Sequence, residues 1–134
     1  MRLARATVVG DTHAARYAQR IAVRRHVLSA DEPPTRGGAD VGPTPFDYLL
    51  AALGACTSIT LWMYAERHGW DLGTLTVTLD FVRENGVDRI EREVAYTAPL
   101  DETQRARLAE ICERTPVTAA LRAGVVIDTR LRRA

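Results

Sequence analysis

The sequence contains no lysine, and all 18 of its basic residues are arginine. They stand against 17 acidic residues, for a formal net charge of +1. With no basic excess, neither a nucleic acid nor a membrane surface is implied as a partner. There are three histidines, His13, His26 and His68. None has ligand spacing to another or to a cysteine, so no metal is expected, and no motif calls for a cofactor. The first ten residues lack the long apolar core of a signal peptide, so a cytoplasmic protein is expected. The two cysteines, Cys56 and Cys112, should then be reduced at rest, or paired only during a redox cycle. No apolar run reaches the roughly 20 residues of a membrane span. The longest uncharged stretch lies between Tyr48 and Tyr64 and is rich in Ala, Gly, Ser and Thr.

That stretch is the heart of what is present. Residues 42 to 69 read as one long helix. Thr44 is a good N-cap, Pro45 suits the first helical position, and Asp47 completes an approximate capping box. Gly69 is placed to end the helix in a left-handed turn. A helix that is apolar all round is buried on all sides. Ala51, Ala52, Gly54 and Ala55 would let another backbone approach closely, and Cys56 sits mid-helix.

At 134 residues the chain reads as one domain, 1–134. Residues 2 to 9 and 16 to 22 read as a hairpin around the polar stretch Gly10-Asp11-Thr12-His13, with a third strand over 25 to 30. Three prolines and three glycines make residues 31 to 44 a loop. After the helix, Leu75, Val77, Leu79 and Phe81 alternate with polar residues, giving a half-buried strand. Asn85-Gly86 predicts a tight hairpin with a positive φ at Gly86. The return strand covers about 89 to 97, with Ile90, Val94 and Tyr96 on one face. Asp101 and Gln104 open a second helix with a capping box, and Leu108, Ile111, Cys112 and Thr115 share a face of it. Thr115-Pro116 starts a short helix ending near Gly124, and 125 to 131 reads as a last strand.

The fold class is therefore α+β: an antiparallel sheet with a long central helix and a second helix on one face. Such a sheet does not cover an all-apolar helix on both sides. An obligate homodimer would supply the missing layer.

Three runs carry a family resemblance: Asp31-Glu32-Pro33, the stretch from Gly37 to Pro45, and the stretch from Leu49 to Cys56. They resemble the OsmC/Ohr family of osmotically inducible and organic hydroperoxide resistance proteins, in its OsmC-like branch. The likeness continues from Leu61 to Trp70, along the Asp101 to Glu113 helix, and into Pro116-Val117. It implies an intertwined homodimer with two long helices at its centre, and a cysteine-based peroxidase acting on a hydroperoxide with a thiol or dithiol reductant. Cys56 matches the peroxide-attacking cysteine, and Arg36 falls where an activating arginine belongs. Three departures stand against this pattern. The family's glutamate position, ten residues before Cys56, holds Phe46. Asp47 lies about 180° round the helix from Cys56, where capping is its better role. The resolving-cysteine position before Pro116-Val117 holds Thr115, and Cys112 lies three residues earlier, about one turn away. Cys112 is then either the resolving thiol or a packing residue beside Ile111. The same departures leave open a non-catalytic OsmC-like dimer, kept as a binding or structural module. Asp31-Glu32 either organises its loop or forms a simple turn before the proline pair. His68 should interact with the helix C-terminus, and Trp62 and Trp70 should serve core or interface.

Overall fold

The computed structural model describes residues 1–11 and 15–134, in two compact units, Met1–Leu49 and Leu50–Ala134. Thr12 and His13, read above as connector and as a non-ligand, lie outside the described residues.

In the first unit, β1 (Thr7–Val9), β2 (Gln19–Val23) and β3 (His26–Ala30) form an antiparallel sheet in that order. The expected hairpin and third strand are both present. The chain then enters the Pro/Gly-rich loop, and Asp31 organises it. Its buried carboxylate accepts N–H groups from Glu32 at 2.8 Å, Ala39 at 3.1 Å and Val41 at 3.2 Å. Closing the loop this tightly requires glycine at position 38, where a Cβ would lie 1.8 Å from the Glu32 carbonyl oxygen. A single 3₁₀ turn, Pro34–Arg36, sits within the loop.

Helix α1 (Pro45–Arg67) begins in this unit and continues into the second. Its capping box forms as read: Asp47 N–H donates to Thr44 Oγ1 at 3.2 Å, and Thr44 N–H donates to Asp47 Oδ2 at 2.9 Å. It ends at Gly69, with φ +65°. The Gly69 N–H meets the Glu66 carbonyl at 3.2 Å and the Trp70 N–H meets that of Ala65 at 2.8 Å, a Schellman closure. With 23 residues, α1 is long and apolar enough to cross a bilayer by those two measures. Its buried residues are Leu53, Gly54, Thr57, Leu61 and Ala65, a stripe at helical spacing. Within one chain α1 is thus covered on one side only, the mismatch from which a second layer is inferred. Ile59 and Met63 are each 54 % exposed and Trp62 38 %. The second unit has packing elements for only one side of the helix.

Those elements are β4 (Leu75–Glu84), β5 (Val87–Tyr96), α2 (Glu102–Cys112) and α3 (Pro116–Ala123). The β4–β5 ladder is antiparallel from Leu75↔Tyr96 to Glu84↔Val87. Leu75, Val77, Leu79 and Phe81 take the half-buried phase and the threonines between them face out. Asn85 and Gly86, with φ +52° and +77°, make the tight turn that the dipeptide predicts. The α2 capping box also forms, Gln104 N–H donating to Asp101 Oδ1 at 2.7 Å. Leu61 and Ala65 of α1, Leu72, and Leu108 and Ile111 of α2 build the core.

Two readings change. The antiparallel pairing is divided between two ladders, one in each unit. The expected last strand, 125 to 131, has no ladder partner among the described residues. Val126, Ile127 and Leu131 are 86 %, 84 % and 97 % exposed. A β-rich sequence becomes a strand only when another edge bonds to it, and among the described residues β4 and β5 bond only to each other.

Candidate active site

Cys56 lies beside Thr57, which belongs to the buried stripe of α1, so its side chain is half-buried at the edge of that stripe. Helix α3 meets it end-on. Thr115 is the N-cap of α3, but its hydroxyl does not cap; it pairs instead with the Thr118 hydroxyl at 2.6 Å. Pro116, next in the helix, carries no N–H. The Val117 N–H is thus left to donate outside the helix, and it meets Cys56 Sγ at 3.5 Å. The start of a helix is its positive end and favours a negative group there.

Sequence reading missed the residue that joins these pieces. Arg92 occupies the half-buried phase of β5, between Ile90 and Val94. Its Nη1 donates to Thr57 Oγ1 and to Thr118 Oγ1, both at 2.9 Å. Its Nη2 donates to the Cys112 carbonyl, also at 2.9 Å. The available signal was positional: a cation in the phase that Ile90, Val94 and Tyr96 mark as inward-facing.

Cys112 ends α2, half-buried and unpaired, as Cys56 is. Burial pushes its thiol up, and the nearby Arg92 charge only partly opposes this; Glu113 adds to the rise. Its surroundings include an open cavity of about 330 Å³ lined by Leu61, Val94, Tyr96, Leu108 and Arg92 among others. Thr115, at the expected resolving position, is fully buried. Arg36 closes the 3₁₀ turn of the first unit with its side chain exposed. Asp47 caps α1, as read. His68 Nδ1 contacts the Tyr64 carbonyl at 3.0 Å near the end of α1, and its ring stacks on that of Tyr64.

The fold and this site define an α+β protein with a cysteine held at the start of helix α3. The sequence model for OsmC-like proteins matches residues 37–130, and the chain belongs to that family. Among curated proteins no sequence match is found. Among solved structures, an OsmC-like protein from Mycoplasma pneumoniae superposes with a TM-score of 0.75 at 18 % identity, over 90 % of this chain and 88 % of that one. The organic hydroperoxide resistance protein OhrB of Bacillus subtilis gives 0.60 at 18 % identity, over 90 % and 91 %. The organic hydroperoxide resistance protein OsmC from Legionella pneumophila gives 0.59 at 17 %, over 91 % and 90 %. At these identities the likeness is one of fold.

Proposed function

We propose that the protein is a thiol-dependent peroxidase that reduces organic hydroperoxides or hydrogen peroxide through Cys56. The observation that carries this reading is the Val117 N–H at 3.5 Å from the Cys56 sulfur, at the N-terminus of α3. A thiolate is the attacking species, and a helix N-terminus and a cation both favour it. The family membership supports the reading, as does the likeness in fold to the organic hydroperoxide resistance proteins of Bacillus subtilis and Legionella pneumophila.

The sulfur attacks the outer oxygen of ROOH. The O–O bond breaks, Cys56 becomes a sulfenic acid, and the departing alkoxide takes a proton to leave as ROH. Sulfur loses two electrons and the peroxide gains them. A thiol then attacks the sulfenic sulfur, forming a disulfide and releasing water, and a further thiol or dithiol returns Cys56 to its reduced form. Arg36 is proposed to activate Cys56. Cys112 or an external thiol resolves; burial keeps Cys112 protonated and favours the external one. The enzyme works as a homodimer in the reducing cytoplasm, a role in defence against oxidants.

A non-catalytic dimeric module is the competing reading, favoured by the buried Thr115 at the resolving position. Consumption of cumene hydroperoxide with dithiothreitol, compared between wild type and Cys56→Ser, separates the two. The enzyme reading expects the variant to fall to background. Equal rates would leave only the module.

A further inference from the structure

Arg92 contacts the residue that follows each partner of the Cys56–Val117 contact. Thr57 succeeds Cys56 in α1 and Thr118 succeeds Val117 in α3, and one guanidinium nitrogen donates to both hydroxyls. The second nitrogen holds the carbonyl at the end of α2. Three helices are therefore tied to β5 through one side chain. Thr57 is fully buried and Thr118 is 5 % exposed, so neither acceptor has water as a ready substitute.

The acceptors are unusual for a half-buried arginine, because none is a carboxylate. The Glu113 side chain feels the Arg92 charge only at longer range, and its own hydrogen-bond partner is Arg122. The guanidinium charge is thus not neutralised by a hydrogen-bonded carboxylate. Its planar fork also fixes directions that a lysine ammonium leaves free.

We propose that Arg92 is the positioning residue of the site. Its fork seats the first turn of α3 against α1, so that the Val117 N–H meets the Cys56 sulfur. This rests on the reading of Cys56 as the attacking group, but it is tested without peroxide. The measurement is the rate of alkylation of Cys56 by iodoacetamide at pH 7 in the full chain, followed by peptide mass spectrometry. Arg92→Lys keeps the charge and loses the fork; Arg92→Met keeps much of the stem. Both should slow alkylation severalfold while the far-ultraviolet circular dichroism stays that of wild type, because the thiolate is the alkylated species and an N–H at a helix start favours it. A second readout is the Val117 amide resonance. Cys56→Ser should shift it in the wild-type background and not in Arg92→Lys. Folded Arg92 variants that alkylate as fast as wild type, or faster, would overturn the proposal, as would an unchanged Val117 response. Should both Arg92 variants fail to fold, Thr118→Val removes a single anchor and should slow alkylation by a smaller factor; no slowing there would also overturn it. A protein that turns over no hydroperoxide yet shows these effects loses the peroxidase reading and keeps the positioning role.

Discussion

A carboxylate fixed by three backbone donors makes a loop sensitive to acid. Burial alone would raise the Asp31 carboxyl, but the N–H groups of Glu32, Val41 and Ala39 outweigh it and hold it below the ordinary value of 3.8. A depressed native pKa stabilises the fold fully above the unfolded value and loses that contribution as pH falls through the native one. Thermal melts should show the loss setting in below pH 3.8. Asp31→Asn should melt lower at neutral pH, and its deficit should narrow in acid. A deficit of equal size at every pH would rule out the charged anchor. At this scale the sequence was legible where one residue type has one use. Cys56 stands out because its motif is local. Arg92 does not, because its partners lie 35, 26 and 20 residues away and nothing local names them. An arginine between Ile90 and Val94 reads in isolation as a broken alternation, when it is the alternation turned to another use.

Elements were legible through their ends. Both capping boxes and the Asn85-Gly86 turn follow from side chains within four residues of one another, so tertiary context adds little to them. The turn gives a clean prediction. A Cβ at Gly86 would meet nothing within 4 Å, so the only penalty for Gly86→Val is its positive φ. That should cost about 1–2 kcal/mol and lower Tm by several degrees, with Gly86→Ala costing less. A Tm unchanged in Gly86→Val would contradict the conformational argument. The end of α2 is the harder case. Thr115 directly precedes the helix whose Val117 N–H reaches Cys56, whereas Cys112 lies within α2 with its thiol pushed up by burial. In a Cys112→Ala background, Thr115→Cys should form a disulfide with Cys56 after one equivalent of hydroperoxide, and faster than wild type forms any bond to Cys112. Mass-spectrometric mapping of the oxidised proteins decides this. A rapid Cys56–Cys112 bond in wild type would show that Cys112 resolves despite its burial.

At the scale of the whole molecule, two apolar surfaces stand exposed among the described residues of one chain. Ile59, Trp62 and Met63 lie at i, i+3 and i+4 on α1, which makes one exposed helix face. Val125, Val126, Ile127 and Leu131 form an exposed segment without a ladder partner among the described residues. Leaving both in water forgoes about 25 cal/mol for each Å² that a partner would cover. The helix expected to be buried on every side and the expected last strand meet the same gap. Each was read from composition that suits burial, and composition does not say whether the covering layer belongs to the same chain. A second copy fits, because it brings an identical helix face and an identical unpaired segment. Sedimentation at micromolar concentration should therefore give a particle of twice 14.8 kDa. Met63→Glu should shift it towards the monomer and lower Tm, since a charge on that face must be desolvated to associate. Val126→Asp should do the same if the segment takes part. A stable, folded 14.8 kDa monomer in wild type would refute the dimer and leave the exposed face of α1 without an occupant. A dimer that survives both substitutions would move the interface elsewhere on the chain.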